Sequence, residues 1–395
     1  MNGFAKIKRG FNEPDLIKNK VKKTVNYILY NSTNKSVYPS KFFIYINSHC
    51  NQFCKSCDIG QKNMEANFYK ITHKGPNPGL NAADMSLETF KNFVDDVKKF
   101  KPLIAFKGAE PLMRNEIKEF VSYVRKNGMK CSLTTNALLL EKRAEDLFEA
   151  DLSEIQISID GPPELHDVIR GVPKSFELAR RGIQKLQELK KRAGKQTPRI
   201  YTNTTISNLN YDKLVEVFHS LKDLNLDFMR FQLANFVTEE MAERHNLQYG
   251  DFVKAAPSSI SLEFNVTKTD VDVLYNQIKE LKQLQQTTTI KIRFFPQLSY
   301  EELRKYFYQH DKFLSNFRRC FYPWVIGAIN SNGDVVPFLR CYDYVMGNIK
   351  TQKFTDIWNN NRFMQFRGGL KKGGGALTAC TRCCGIYGAS SLFKA

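Results

Sequence analysis

Phe42-Phe43-Ile44-Tyr45-Ile46-Asn47-Ser48-His49-Cys50-Asn51-Gln52-Phe53-Cys54-Lys55-Ser56-Cys57 is an apolar, aromatic-rich run of strand length that leads straight into three cysteines. Thiolates spaced by three and then two residues, on a loop leaving a strand, can ligate three irons of a four-iron cluster. The fourth iron is left without a protein ligand, and an open coordination position is what a reactive cluster needs. A structural zinc site wants four closed ligands. His49 is the candidate fourth, but it adjoins Cys50 and points poorly for a tetrahedron. Ligand logic alone leaves zinc open.

Downstream of this loop, strand and helix patterns alternate. Ser86 can cap a helix to about Phe100, with Leu87, Phe90, Phe93, Val94 and Val97 at helical spacing. Strands are expected at 103–106, 130–134, 154–159, 199–205 and 228–233. Helices are expected near 116–126, 140–148, 175–191 and 211–224, the first of them closed by Asn127-Gly128, which suits a left-handed cap. Strands separated by helix-length segments imply a parallel sheet wound right-handed. About six such units fall short of the eight of a closed barrel. The fold class expected is therefore α/β, a partial (β/α)6 TIM-like barrel with a small C-terminal auxiliary domain. Ligands in such sheets bind at the C-terminal ends of the strands, where the motifs below lie.

The chain has 395 residues, 42% of them hydrophobic, ample for a sizeable core. The domains expected are an N-terminal extension (1–38), a core (39–235), a bridging segment (236–316) and a C-terminal module (317–395). Asp15 to Leu29 can form an amphipathic helix, and packing against the main domain is its expected use. The bridging segment shows a helix near 271–284, a strand at 289–294 and a helix capped by Ser299 with Glu302 three residues on. Gly368–Gly375 reads as a flexible glycine/lysine loop.

No apolar run is long enough to span a membrane, and the lysine-rich start has no secretory character. Nine cysteines, eight of them in two groups near the chain's ends, argue for metal ligation in a reducing cytoplasm and against a disulfide framework. Cys131 falls on a predicted strand and reads as core. The net charge is +19, but the basic residues are spread out and form no recognisable nucleic-acid module, so no nucleic-acid partner is expected. The charge reads as solvated basic faces, or as attraction for a phosphorylated metabolite, an acidic electron-transfer protein or a membrane surface.

The spacing of Cys50, Cys54 and Cys57 resembles the Cys-x3-Cys-x2-Cys motif of the radical S-adenosylmethionine superfamily. The resemblance implies a [4Fe-4S] cluster whose free iron chelates S-adenosylmethionine, and one-electron cleavage to a 5′-deoxyadenosyl radical that abstracts hydrogen from substrate. Asn51 matches many members, whereas Ser56 stands where an aromatic residue often packs on adenine. Gly108-Ala109-Glu110-Pro111 resembles the family's Gly-Gly-Glu-Pro segment. It implies that Gly108 permits close approach, Glu110 accepts from the cofactor's ammonium group and Pro111 fixes the turn. Thr134-Thr135-Asn136-Ala137 resembles Thr-Asn-Gly, placing Asn136 at the cofactor. Ser158-Ile159-Asp160-Gly161, followed by His166 and Arg170-Gly171, resembles a further family pattern, with Ser158 a partner for ribose or carboxylate and Arg170 a partner for the carboxylate. Asp160 and His166 read equally well as turn and packing residues. Asn203–Ile206 and Arg230–Gln232 are candidates to frame the adenosine.

Near the C-terminus, Cys320, a hairpin signal at Asn332-Gly333, Cys341, Gly347-Asn348-Ile349, Ile357-Trp358 and Cys380-x2-Cys383-Cys384 resemble, in that order, the auxiliary-cluster modules called SPASM and twitch. The resemblance implies one auxiliary [4Fe-4S] cluster on Cys320, Cys341, Cys380 and Cys383, with Cys384 the alternative last ligand or a free thiol. A zinc ribbon is the rival. The function expected is oxidation, epimerisation or rearrangement of a small polar, sugar-like metabolite, phosphorylated forms included, because residues 1–40 are too short for a winged peptide-recognition domain. A peptide-modifying maturase is the alternative. A low-potential electron donor such as flavodoxin or ferredoxin is the expected protein partner. From another class, a non-catalytic zinc or nucleic-acid-binding protein would be colourless and hold stoichiometric zinc.

Overall fold

In the computed structural model, residues 29, 32–73, 84–259, 265–314, 319–338 and 340–388 are described. The helix expected over 15–29 lies outside them, apart from Leu29. Ten strands form one sheet: β1 (Lys41–Ile44), β2 (Leu103–Phe106), β3 (Cys131–Thr135), β4 (Glu154–Ser158), β5 (Arg199–Ile206), β6 (Phe228–Leu233), β7 (Lys291–Phe295), β8 (Ile326–Ile329), β9 (Asp334–Val336) and β10 (Gly347–Asn348). Their order is β10-β9-β8-β1-β2-β3-β4-β5-β6-β7.

From β1 to β6 every neighbour is parallel, each pair joined through helices, as strands alternating with helix-length segments require. The helix Leu87–Val97 begins where the Ser86 hydroxyl accepts from the Thr89 N–H (3.1 Å), and it buries Phe90, Phe93, Val94 and Val97. Each fully buried phenylalanine contributes about 1.5–3 kcal/mol. On β1 the outward Phe42 meets Phe93 and Phe354 edge-on, at 4.9 and 4.7 Å between centroids. Cys131 is fully buried in this packing.

The partial barrel is confirmed, and the structure lengthens it at both ends. β7 adds in parallel to β6, so the 289–294 strand continues the sheet. β8 adds in parallel to β1, pairing Lys41 with Ile326 and Ile44 with Ile329, and β9 turns back at Asn332-Gly333. Eight parallel strands thus run in sequence without closing, since β7 and β8 are the separated ends of that series. The C-terminal module is held by main-chain pairing on β1 as well as by side chains. Residues 34–37 also join it: the buried Arg367 guanidinium donates to the carbonyls of Asn34 (3.1 Å), Pro323 (2.8 Å) and Trp358 (3.0 Å), and Trp358 Nε1 donates to the Val37 carbonyl (2.9 Å).

One local expectation is corrected. Gly368 and Gly369 lie in the helix Asn361–Lys372, and only residues 373–375 form the turn. Phe363, Phe366 and Leu370 bury one face of that helix, which outweighs the roughly 1 kcal/mol that each glycine costs a helix interior.

Candidate functional site

The loop carrying Cys50, Cys54 and Cys57 leaves β1 and is pinned to the end of the helix Pro163–Arg170. The Phe53 N–H donates to the Arg170 carbonyl (3.1 Å), and the Lys55 N–H to the Ile169 carbonyl (2.9 Å). Gly171, at φ +68, permits this approach: a Cβ there would lie 2.9 Å from the Phe53 carbonyl oxygen. Sequence reading placed Gly171 in a motif without seeing that the cysteine loop rests on it.

Arg170 then reaches the thiols. Its Nη2 pairs with Asp160 at 2.7 Å, and its Nη1 points at Cys54 Sγ at 3.8 Å. Asp160 also accepts from the Thr205 N–H (2.8 Å), and its own N–H donates to His166 Nδ1 (3.1 Å). Burial holds the His166 imidazole well below its ordinary pKa. The neutral ring therefore carries its proton on Nε2. Asp160 and His166 position Arg170. Breaking such a buried charge pair from one side costs about 3–5 kcal/mol.

Glu110 is fully buried and ties three strand ends together. One carboxylate oxygen accepts from the Leu112 N–H (3.0 Å) and the Thr135 hydroxyl (2.7 Å), the other from the Asn136 N–H (2.7 Å). Its N–H donates to the His49 carbonyl (2.9 Å), and its carbonyl accepts from Asn47 Nδ2 (2.8 Å). Burial pushes the carboxyl up to about 7. Asn136, so held, donates through Nδ2 to Asn51 (2.8 Å) and points at Cys50 Sγ (3.7 Å).

These elements enclose a cavity of about 230 Å³ whose lining includes all three cysteines together with Gly108, Asn136, Ser158 and Arg170. Asn203 and Gln232 reach it from β5 and β6, and Arg340 from the C-terminal module. Glu110 and Pro111 stand behind the wall. The Glu110 carboxylate faces β3 instead of the cavity, because the three donors there satisfy it. Ala109 (φ 27) and Ala137 (φ 66), standing where the resembled motifs have glycine, both keep positive φ.

The donor set suits a cluster and a polar ligand. Burial pushes Cys50 up to about 11 and Cys54 to about 12, so both thiols stay protonated until a metal displaces the protons. Gln52 Nε2, Arg170 Nε and Asn203 Oδ1 are buried without a protein partner, which a bound polar molecule would supply.

Cys320, Cys341, Cys380 and Cys383 line a second, small and mostly apolar cavity, with Tyr322, Tyr342 and Phe366 around them. Tyr342 Oη lies 3.2 Å from Cys380 Sγ. Gly385 lets two of the thiols approach, since a Cβ there would sit 3.0 Å from Cys320 Sγ and 3.6 Å from Cys383 Sγ. Burial raises all four thiols, Cys380 to about 12, while in Cys383 the hydrogen bond it donates to Cys384 is the larger push. Cys384 does not line this cavity. The hydrogen bond it accepts from Cys383 and, after it, the charges of Arg340 and Lys107 hold Cys384 below the usual thiol range. Among the described residues no three His, Cys, Asp or Glu side chains converge tightly enough to hold a single metal ion.

Sequence reading missed the residues between the two sets. Asp58 accepts from Ser258 Oγ (2.7 Å) and the Ser259 N–H (2.8 Å). Arg340 lies over the Phe68 ring (4.5 Å), donates to the Ser259 hydroxyl and approaches Asp58 at 4.0 Å. The available signal was adjacency: Asp58 follows Cys57, and Arg340 precedes Cys341.

Residues 44–233 match the Radical SAM superfamily model, and residues 320–384 match SPASM, an iron-sulfur cluster-binding domain. The AdoMet-dependent heme synthase of Oleidesulfovibrio alaskensis is 36% identical over 173 residues, which are 43% of this chain and 41% of that protein. The tungsten-containing aldehyde ferredoxin oxidoreductase cofactor-modifying protein of Pyrococcus furiosus is 24% identical over 304 residues, 72% of this chain and 75% of that one. SuiB of Streptococcus suis, solved bound to precursor peptide SuiA, shares the fold with a TM-score of 0.59 at 14% identity, over 97% of this chain and 79% of that one. The match to the heme synthase thus spans about two fifths of that relative's length. Among the described residues no helix is long and apolar enough to cross a membrane. The chain thus carries a radical SAM domain over residues 44–233 and a SPASM iron-sulfur cluster-binding domain over residues 320–384, which together imply a [4Fe-4S] cluster, S-adenosylmethionine and auxiliary iron–sulfur clusters.

Proposed function

We propose that the enzyme abstracts hydrogen from a small polar metabolite bound inside the partial barrel, and that one auxiliary [4Fe-4S] cluster on Cys320, Cys341, Cys380 and Cys383 takes the second electron. The outcome is then oxidation of the substrate; epimerisation, which returns a hydrogen atom, or rearrangement, which shifts a bond, would leave that cluster out of the electron count. The observation that carries this reading is the wall of the first cavity, where uncharged Gln156, Ser158, Asn203 and Gln232 from successive strands face the three cysteines. When bound, the first cluster supplies one electron to S-adenosylmethionine, whose adenosyl group then takes the substrate hydrogen. Cys50, Cys54 and Cys57 hold that cluster. Gly108 and Ala109 offer close backbone approach. Asn136, Ser158, Asn203 and Arg170 bond the amino-acid and ribose groups of S-adenosylmethionine, and Glu110 serves by holding Thr135 and Asn136 in place. The basic chain receives its electrons from an acidic low-potential donor, flavodoxin or ferredoxin, in a reducing cytoplasm.

The test is anaerobic reconstitution followed by turnover with deuterated candidates: sugar phosphates, tetrapyrroles (because a relative is named a heme synthase) and peptides (because SuiB binds one). The expected result is about eight irons per chain, and deuterium passing from a small polar metabolite into 5′-deoxyadenosine. Deuterium from peptides alone would replace this reading with a peptide maturase.

A further inference from the structure

Below the cysteine cavity, the inward positions of the sheet carry cations without matching carboxylates. On β1, Lys41 and Phe43 alternate with the outward Phe42 and Ile44. The ammonium groups of Lys41 and Lys107 both lie over the Phe43 ring, at 4.8 and 5.0 Å from its centroid. On the opposite wall Tyr201 and Phe228 stack at 4.1 Å. Arg230 lies over Tyr201 at 5.1 Å and Arg293 over Phe228 at 4.2 Å.

The two walls are close. In a flat sheet β1 and β6 would stand about 24 Å apart, yet the cysteine loop leaving β1 and Gln232 of β6 line one cavity of about 230 Å³, and Arg230 lowers the pKa of Lys41 and Lys107 after their burial does. Curvature has brought these strands face to face across the lumen. Arg230 and Arg293 are also register partners on adjacent parallel strands, an arrangement that repels unless an anion lies between them. Glu154, whose charge also reaches Lys41, pairs with Arg199 at 3.7 Å. Among the described residues no carboxylate forms an ion pair with Lys41, Lys107, Arg230 or Arg293.

Solvent reaches Arg293, but a fold does not set Lys41, Lys107 and Arg230, all partly buried and without an ion pair, around two aromatic platforms for stability, since each adds repulsion and desolvation cost. We propose that this lumen seats a substrate bearing at least two anionic groups, phosphate or carboxylate, held by Lys41, Lys107, Arg230 and Arg293 beneath the cysteine cavity. The inference rests on the proposed function for its statement that the bound anion is a substrate. The aromatic rings fit the carbon skeleton between the charged ends, and the amides of Gln156 and Gln232 lie above it.

The test is calorimetric titration of the full-length chain with inorganic pyrophosphate and, separately, citrate, at about 0.15 M ionic strength to screen surface charge. Wild type is expected to bind one equivalent of at least one probe, and Arg230→Gln/Arg293→Gln to bind it at least tenfold more weakly. Lys142→Gln/Arg192→Gln, which removes the same charge from exposed positions on helices outside the sheet, is expected to bind like wild type. Preference for pyrophosphate identifies a phosphate ester, and preference for citrate a polycarboxylate. The lumen double variant is also expected to melt higher than wild type, because its repulsion is relieved. Binding of neither probe, equal losses in both double variants, or a lower melting point with lost binding each overturns the proposal. Cleavage of S-adenosylmethionine, assayed on the same preparations, separates the two readings. Cleavage without anion binding removes the anionic seat alone, and anion binding without cleavage removes the reaction alone.

Discussion

The first cysteine set lies on a loop, its three thiols along one side of a polar cavity whose remaining walls are amides, hydroxyls and a guanidinium. The second set has four thiols around a small cavity walled by tyrosines, phenylalanine and leucine. Three ligands with unsatisfied polar atoms nearby leave a metal group a coordination position and a ligand to fill it. Four ligands in apolar packing leave neither. On the proposed function the same residue type thus serves opposite ends, and the surroundings decide which set would react and which would hold or pass an electron.

The largest expected effect breaks this comparison at the first set. Cys54→Ala should abolish S-adenosylmethionine cleavage, a loss of at least about a thousandfold, while the reconstituted protein keeps about four irons. If the variant instead loses all of its iron, the sets are not independent.

Next comes the second set. Cys341→Ala should remove the auxiliary irons and leave the cluster that cleaves the cofactor, whereas Cys384→Ala should leave the iron count unchanged, because its thiol does not line the cavity of the other four. Iron analysis beside the visible spectrum reads both. The reverse result would make Cys384 the ligand.

A third prediction concerns the strap behind the first set. Glu110→Gln places an amide donor against the Thr135, Leu112 and Asn136 donors, and should cost about 1–3 kcal/mol. The folded carboxyl titrates near 7, above the ordinary 4.5. Between those values the native state binds more protons than the unfolded chain. The stability that Glu110 contributes is therefore fullest below 4.5 and is lost as pH rises through 7. Melting curves from pH 5 to 8 should slope downward more in wild type than in Glu110→Gln.

Much of this was legible in the sequence because it is local. The cysteine spacing, the capping box of Ser299 with Glu302 and the turn at Asn332-Gly333 each depend on neighbours within a few residues. The joining of β8 to β1 was not legible, because a strand pattern shows that a segment is extended and not which edge it will find. Glu110 shows the same limit within the site. Its motif marked it for the cofactor, but the Thr135 and Asn136 donors that claim its carboxylate come from another strand. Lys41, Lys107, Arg230 and Arg293 were scattered basic residues until sheet curvature set them across one lumen.

The smallest effect isolates backbone strain at the rim of the first cavity. Ala137 holds φ 66 with its N–H donating to Thr135 Oγ1 at 2.9 Å, a left-handed conformation that costs a residue with a Cβ about 1–2 kcal/mol. Glycine escapes that cost but loses more chain entropy on folding, and Ala137 also gives up a buried methyl. The net gain from Ala137→Gly should therefore be about 0.5 kcal/mol, a rise of about 1 °C in melting temperature. A fall would mean that the buried methyl outweighs the strain, and that alanine at this turn is chosen for packing. The second cysteine set should ignore the substitution, its iron content unchanged, because Ala137 lies on the loop after β3 and does not line the second cavity.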